Sequence, residues 1–136
     1  MEKIEFSTSS GFVYATITVN EDVKCLQDSW YGSFGVQENF KKVLLMLLTQ
    51  VEAVGSSKGL SDTSQMTASF DGSRDWMVQE IIPKLISMGI RYHAIVIPKN
   101  IFTKLSLKDY VQRVAGMEIR QFGDLKEAKE WLLSCN

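Results

Sequence analysis

From Val23 onward, strand-like segments alternate with helix-like segments, and this alternation restricts the fold more than any other feature of the sequence. The predicted strands in this part of the chain are Val23–Tyr31, Lys58–Ser61, Tyr92–Ile97 and Met117–Phe122. Tyr92–Ile97 is almost wholly apolar, which is typical of a strand that is covered on both faces. Strands that alternate with helices form parallel pairs joined by right-handed crossovers.

Four helices with apolar residues along one face are predicted to follow these strands. They run from Gln37 to Gly55, from the cap Ser73 to Gly89, from the cap Ser106 to Gly116, and from the cap Asp124 to Leu133. Pro83 lies inside the second helix and should kink it, because proline lacks the amide donor of the helix ladder.

Two further strands, Lys3–Ser7 and Phe12–Val19, precede the alternating part. Short turns join them to the third strand, which predicts an antiparallel meander. The expected fold is therefore α/β, with the order β-β-β-α-β-α-β-α-β-α and a mixed sheet. The whole chain, residues 1–136, is expected to form one domain, since 136 residues is close to the usual size of a single core.

Composition argues against several classes of function. The net charge is −1, and neither half of the chain is basic enough to neutralise a phosphate backbone, so no nucleic-acid partner is expected. The N-terminus lacks the pattern of a signal peptide, and the longest apolar run, Val43–Leu48, is far too short for a transmembrane segment. Cys25 and Cys135 are far apart and are interpreted as free thiols, which favours a cytoplasmic location.

In an open α/β sheet, ligands bind beyond the carboxyl ends of the parallel strands. The loops predicted at that edge are Trp30–Val36, Asp62–Gly72, Pro98–Lys104 and Gly123-Asp124. The second is unusually long for a connection between a strand and a helix, and it is either functional or a tolerated excursion of the surface. Trp30 and Phe34 form either the wall of an apolar pocket or part of the core, and Trp76 should lie near the same edge.

The candidate ligand or partner residues at this edge are Trp30, Phe34, Asp62, Thr63, Ser64, Trp76, Lys99 and Asp124. Asp62, Asp71 and Asp124 could meet there, which leaves a hydrolase with paired carboxylates as a weaker alternative.

The single histidine, His93, stands near the start of its strand, away from this edge, and a structural role is predicted for it. One histidine and two distant cysteines are too few for a metal site, and no phosphate-binding motif is present, so no cofactor is expected.

Three stretches carry a resemblance to a known family. They are Trp30-x-Gly32 before the first helix, Gly59-Leu60-Ser61-Asp62, and Ile95-Val96-Ile97-Pro98 with Phe102 and the later segment Met117–Leu125. Together they resemble the small bacterial proteins of the STAS-like class, which are related in fold to anti-sigma-factor antagonists and often grouped with the lipid-binding Sec14-like fold. In those antagonists a loop carries an Asp-Ser-Ser/Thr-Gly motif with a phosphorylated serine. The matching residues are Asp62-Thr63-Ser64-Gln65, so the resemblance implies Ser64 as the candidate phosphosite.

The resemblance and the absence of catalytic motifs lead to an expected function without catalysis. The leading hypothesis is a STAS-like binding or regulatory domain that presents the carboxyl edge of its sheet to a protein or a small ligand. The alternative is a carrier of a small molecule or lipid, with an apolar pocket under the same loops. Leu45 and Met46 fall outside the main apolar arc of the first helix, so either a homodimer forms through these two residues or a neighbouring helix or loop of the same chain covers them.

Overall fold

The computed structural model describes all residues, 1–136, and contains the strands and helical segments in the predicted order. The strands are β1 (Ile4–Ser7), β2 (Val13–Asn20), β3 (Cys25–Gly32), β4 (Lys58–Met66), β5 (Tyr92–Val96) and β6 (Glu118–Phe122). The regular helices are α1 (Gln37–Val54), α3 (Ile101–Arg113) and α4 (Leu125–Ser134). Between β4 and β5, α2 is a composite helix of a 3-10 turn (Asp71–Ser73), an α turn (Arg74–Trp76), a π turn (Met77–Ile81) and an α-helix (Ile82–Ser87).

The six strands form one mixed sheet in which strand order equals chain order. β1, β2 and β3 are antiparallel neighbours, and β3 to β6 are parallel, as the alternation predicts. Because every crossover moves one position in the same direction, right-handed connections place α1, α2 and α3 on the same face of the sheet. The C-terminal α4 covers the opposite face.

Each face has its own apolar cluster. The larger one joins β1–β5 to α1, α2 and α3 and includes Ile17, Trp30, Val43, Ile81 and Leu107. The smaller one joins Cys25, Leu60 and Ala94 to Ala128 and Leu132 of α4. Since side chains alternate along a strand, neighbouring residues of β3 and β4 contribute to opposite clusters.

The prediction of a long loop from Asp62 to Gly72 is wrong, because β4 continues through Met66. Asp62 pairs with Val96 of β5, and Gln65 pairs with Tyr31 of β3 after a register shift. The polar side chains do not interrupt the strand, because its hydrogen bonds to the neighbouring strands are made by backbone groups. The Thr63 hydroxyl donates a further 2.7 Å bond to the Val96 carbonyl.

The predicted start of the third helix at Ser106 is also wrong. α3 begins at Ile101, and Asn100 is its cap: the Asn100 side chain accepts bonds from the amides of Phe102 and Thr103. Most of the predicted loop Pro98–Lys104 is therefore helical. Ser106 lies inside the helix, where its hydroxyl lies 2.7 Å from that of Ser69.

The two remaining predicted caps differ in outcome. Asp124 is confirmed as the cap of α4, with Oδ1 accepting a 2.8 Å bond from the Glu127 amide. Ser73 does not cap α2, because its hydroxyl donates to Oε1 of Gln37 instead. The π turn Met77–Ile81 directly precedes the helix that contains Pro83, so the irregular hydrogen bonding lies where the proline removes a donor.

Candidate ligand cavity

A cavity of about 110 Å³ lies between the first face of the sheet and the three helices that cover it. Its wall is mainly apolar and is formed by side chains from β3, β4 and β5 and from α1, α2 and α3. An apolar wall with a few polar groups is the usual chemistry of small-molecule sites, and a volume of about 110 Å³ restricts the occupant to a very small molecule.

The exposure of the lining residues indicates that the cavity opens at the amino ends of the parallel strands. Its partly exposed lining residues gather there: Val54, Ser56, Leu85 and Met117. The lining residues toward the carboxyl ends are buried: Trp30, Phe40, Met66 and Phe70. The opening is thus opposite to the edge at which the sequence predicts a ligand.

Three polar side chains from neighbouring strands form a hydrogen-bonded chain in the cavity wall. Asp28 of β3 accepts a 2.7 Å bond from Nε1 of Trp30 at Oδ2 and a 2.8 Å bond from the Ser61 hydroxyl at Oδ1. The same hydroxyl lies 2.8 Å from Nε2 of His93 on β5. The strand register places these groups together, because Asp28 pairs with Ser61 and His93 pairs with Gly59, two residues before Ser61.

Burial favours the uncharged forms of both ends of this chain. It raises the pKa of Asp28 above its ordinary value, although hydrogen bonds from Trp30 and Ser61 act in the opposite direction. It lowers the pKa of His93 to about 4, so His93 is neutral at physiological pH. The cavity therefore contains a neutral imidazole and a carboxyl group whose ionisation is costly.

Tyr110 of α3 adds a phenol to the wall. Burial raises the pKa of its phenol, and the negative charge of Asp28 raises it further. A neutral phenol can both donate and accept a hydrogen bond.

The contact between Ser61 and His93 has the length of a nucleophile–base pair, but the surroundings do not suit acyl transfer. Asp28 bonds to the serine, whereas in a Ser-His-Asp triad the acid orients the histidine. Ser61 also lies inside β4, which is paired on both sides, so the neighbouring backbone amides belong to the sheet and are not arranged around an oxyanion. No group of three His, Cys, Asp or Glu side chains is placed to hold a metal ion.

Trp30 and Phe34 belong to the core, with 3% and 1% of their surfaces exposed. Of the two alternatives left open by the sequence, a pocket wall or part of the core, their burial favours the core. Trp30 does line the cavity, at its closed end, whereas Phe34 does not. Trp76 is half-buried on α2 and does not line the cavity; the Lys41 ammonium lies 5.3 Å from the centre of its ring.

The predicted phosphosite lies in a strand beside a carboxylate. Thr63 is 6% exposed and is bonded to the Val96 carbonyl, so it is not accessible. Ser64 is partly exposed, but its hydroxyl donates a 2.6 Å bond to Oδ1 of Asp62. A phosphate at Ser64 would place about two negative charges beside that carboxylate, which is unfavourable.

The carboxyl edge carries an apolar patch that the sequence interpretation placed in a loop. Ile101, Phe102 and Leu105 of α3 are 58%, 68% and 58% exposed. The exposed Lys99 and Lys104 flank them, and no acidic residue occurs from Ile97 to Lys108. Asp62 pairs with Val96, the last residue of β5, and Asp124 is two residues beyond the end of β6. Both residues therefore lie at the carboxyl end of the sheet.

Sequence reasoning missed Asp28, Ser61 and Tyr110 and assigned His93 no contact. One signal for Asp28 was available: it stands two residues from both Leu26 and Trp30, at an inward position of an alternating strand. An acidic residue at such a position needs partners inside the protein. The sequence contained no comparable signal for Ser61, because serine is common on either face of a strand.

Comparison with family models, with curated proteins and with solved structures finds no match to this chain. The resemblance to STAS-like proteins therefore stays a prediction. The structure contains no helix with the length and apolar character needed to cross a membrane.

Proposed function

We propose that this chain binds a small, largely apolar molecule in the cavity under α1, α2 and α3. The observation that carries the proposal is the combination of an apolar cavity of about 110 Å³ with the hydrogen-bonded chain of Asp28, Ser61 and His93 in its wall. This is the carrier alternative raised by the sequence, with the opening at the amino ends of the strands instead of under the carboxyl loops.

The energetics of packing support a ligand. Protein interiors are packed as densely as organic crystals, and unfilled volume destabilises the folded state. A ligand that fills the cavity recovers the lost contacts, and the polar groups at one position of the wall fix its orientation.

Native mass spectrometry of freshly purified protein, with toluene as an added apolar probe, tests the proposal. We expect either a retained small molecule or binding of toluene. Leu85→Trp should abolish this binding, because Leu85 is half-buried at the opening and a larger side chain there fills it. The matched control is Leu133→Trp, at an exposed position of α4 outside the cavity. If the folded wild type neither retains a molecule nor binds toluene, the proposal is wrong.

A second candidate function rests on a different observation, the apolar patch of Ile101, Phe102 and Leu105 beside Lys99 and Lys104. Exposed apolar groups flanked by cations suit an acidic protein partner, which agrees with the leading sequence hypothesis of a partner at the carboxyl edge. A photo-crosslinking residue at position 102 in the source cells should then yield one discrete protein adduct.

The adduct should disappear when Lys99 and Lys104 are both changed to Glu, because the charge complementarity is reversed. A crosslinker at position 133, which is similarly exposed on α4, is the control. Three results would reject this second candidate. They are the same adduct at both positions, an adduct that is insensitive to the charge reversal, and no adduct at all.

A further inference from the structure

Asp28 is the one acidic side chain in the cavity wall, and it has no cationic partner. Its residue is 8% exposed, and none of the ion pairs of the chain includes it. His93 is neutral, because burial lowers its pKa to about 4. The remaining polar contacts of the carboxylate are two donors without charge, Trp30 and Ser61.

Lys58 is the only lysine or arginine among the lining residues, and it is not a counter-ion of Asp28. Along β4, Ser61 points to the cavity, and Lys58 lies three positions away, on the alternate side of the strand. The charge of Lys58 acts on the thiol of Cys25, which belongs to the cluster under α4. An ionised Asp28 therefore has no cation at ion-pair distance.

Four aromatic rings in the cavity wall form a continuous series that begins at the hydrogen-bond partner of Asp28. Ring centres are 5.1 Å apart for Trp30 and Phe40, 5.3 Å for Phe40 and Phe70, and 6.1 Å for Phe70 and Tyr110. Trp30 donates to Asp28, and the negative charge of Asp28 raises the pKa of the Tyr110 phenol at the other end of the series. Aromatic rings attract cations, and this attraction is larger where water is excluded.

We infer that the ligand of this cavity is a small amine with an apolar body, whose ammonium group pairs with Asp28 among these rings. The inference rests on the proposed function and specifies the class of ligand. An ammonium group supplies the missing positive charge and can also donate to the hydroxyl oxygens of Ser61 and Tyr110. The apolar body occupies the rest of the cavity, which is lined by aliphatic and aromatic side chains.

Three probes of nearly equal shape test the inference: benzylamine, benzyl alcohol and toluene, each titrated calorimetrically into the full chain at pH 7.5. We expect benzylamine to bind the wild type at least tenfold more tightly than benzyl alcohol. Asp28→Asn should remove this preference, since the amide can still bond to Trp30 and Ser61 but carries no charge. Asp62→Asn, in β4 and outside the cavity wall, should leave the preference unchanged.

The outcomes separate the two proposals. If benzyl alcohol or toluene binds as tightly as benzylamine and Leu85→Trp blocks the binding, the amine inference is wrong and the proposed function stands. If none of the three probes binds, both are wrong. Circular dichroism checks that Asp28→Asn folds. If this variant does not fold, the ratio of the affinities of benzylamine and benzyl alcohol for the wild type decides whether the amine inference is right.

Discussion

The hydroxyl oxygen of Ser61 lies 2.8 Å from Nε2 of His93, on the neighbouring parallel strand. This contact connects the imidazole to Asp28, whose Oδ1 lies 2.8 Å from the same oxygen. A serine has one proton to donate. When that proton goes to Asp28, Nε2 of His93 must be the donor to Ser61; when Asp28 is protonated and donates, Ser61 can donate to His93. The protonation of Asp28 thus sets the tautomer that His93 presents to the cavity.

Ser61→Ala should destabilise the folded protein by about 1–3 kcal/mol, because it leaves a buried carboxylate oxygen and an imidazole nitrogen without their common partner. Urea denaturation monitored by circular dichroism measures the change. Ser64→Ala is the matched control: it removes a hydroxyl from the same strand at a partly exposed position and should cost less than about 1 kcal/mol. Equal losses for the two variants would contradict this prediction.

The contribution of His93 to stability should decrease as the pH falls from 7.5 to 5, because the pKa of His93 is about 4 in the folded protein and 6.5 ordinarily. Over this range the unfolded chain binds a proton at His93 that the folded chain does not bind, which lowers the free energy of unfolding by about 2 kcal/mol.

The raised pKa of Asp28 acts in the opposite direction, since the folded protein gains that proton first as the pH falls. The measurement is therefore best made in Asp28→Asn, with the double variant Asp28→Asn/His93→Gln as the control. Urea denaturation across the pH range should show the decrease in the first variant and a much flatter profile in the second. Parallel profiles would mean that His93 titrates normally in the folded protein.

The predicted homodimer depends on Leu45, because Met46 is half-buried and packs against the core. Leu45 is 50% exposed, so Leu45→Lys should leave the fold intact and, if a dimer forms through α1, shift it toward monomer. Sedimentation velocity over a wide range of concentrations measures the shift. Leu133→Lys, on α4, is the control for a general effect of added charge. A wild type that is monomeric at high concentration rules out the dimer.

We expect neither Thr63 nor Ser64 to be phosphorylated in the folded protein. The first is buried, and the second donates its hydroxyl to Asp62. Mass-spectrometric mapping after incubation with a kinase-containing lysate of the source cells checks this expectation, and a urea-unfolded sample treated in the same way is the control. Phosphate on Ser64 of the folded protein would restore the switch that the resemblance implies.

Local patterns in the sequence were sufficient for the architecture. Alternating and helical periodicities placed every strand and helix in order, because both arise from contacts between residues near in sequence and from the burial of one face. The same patterns failed where a strand or helix is held by distant partners. The polar half of β4 is a strand because β3 pairs with it, and α3 begins early because Asn100 caps it.

The candidate site depended on tertiary structure. Asp28, Ser61 and His93 are separated by more than thirty residues at each step, and only the register between β3, β4 and β5 brings them into contact. Register is determined by pairing across the sheet and by packing of α1, α2 and α3 on its face, which no local pattern encodes. The sequence by itself determined which segments become strands and helices; the tertiary structure decided which polar residues meet, because the cavity exists only between elements that are distant in the chain.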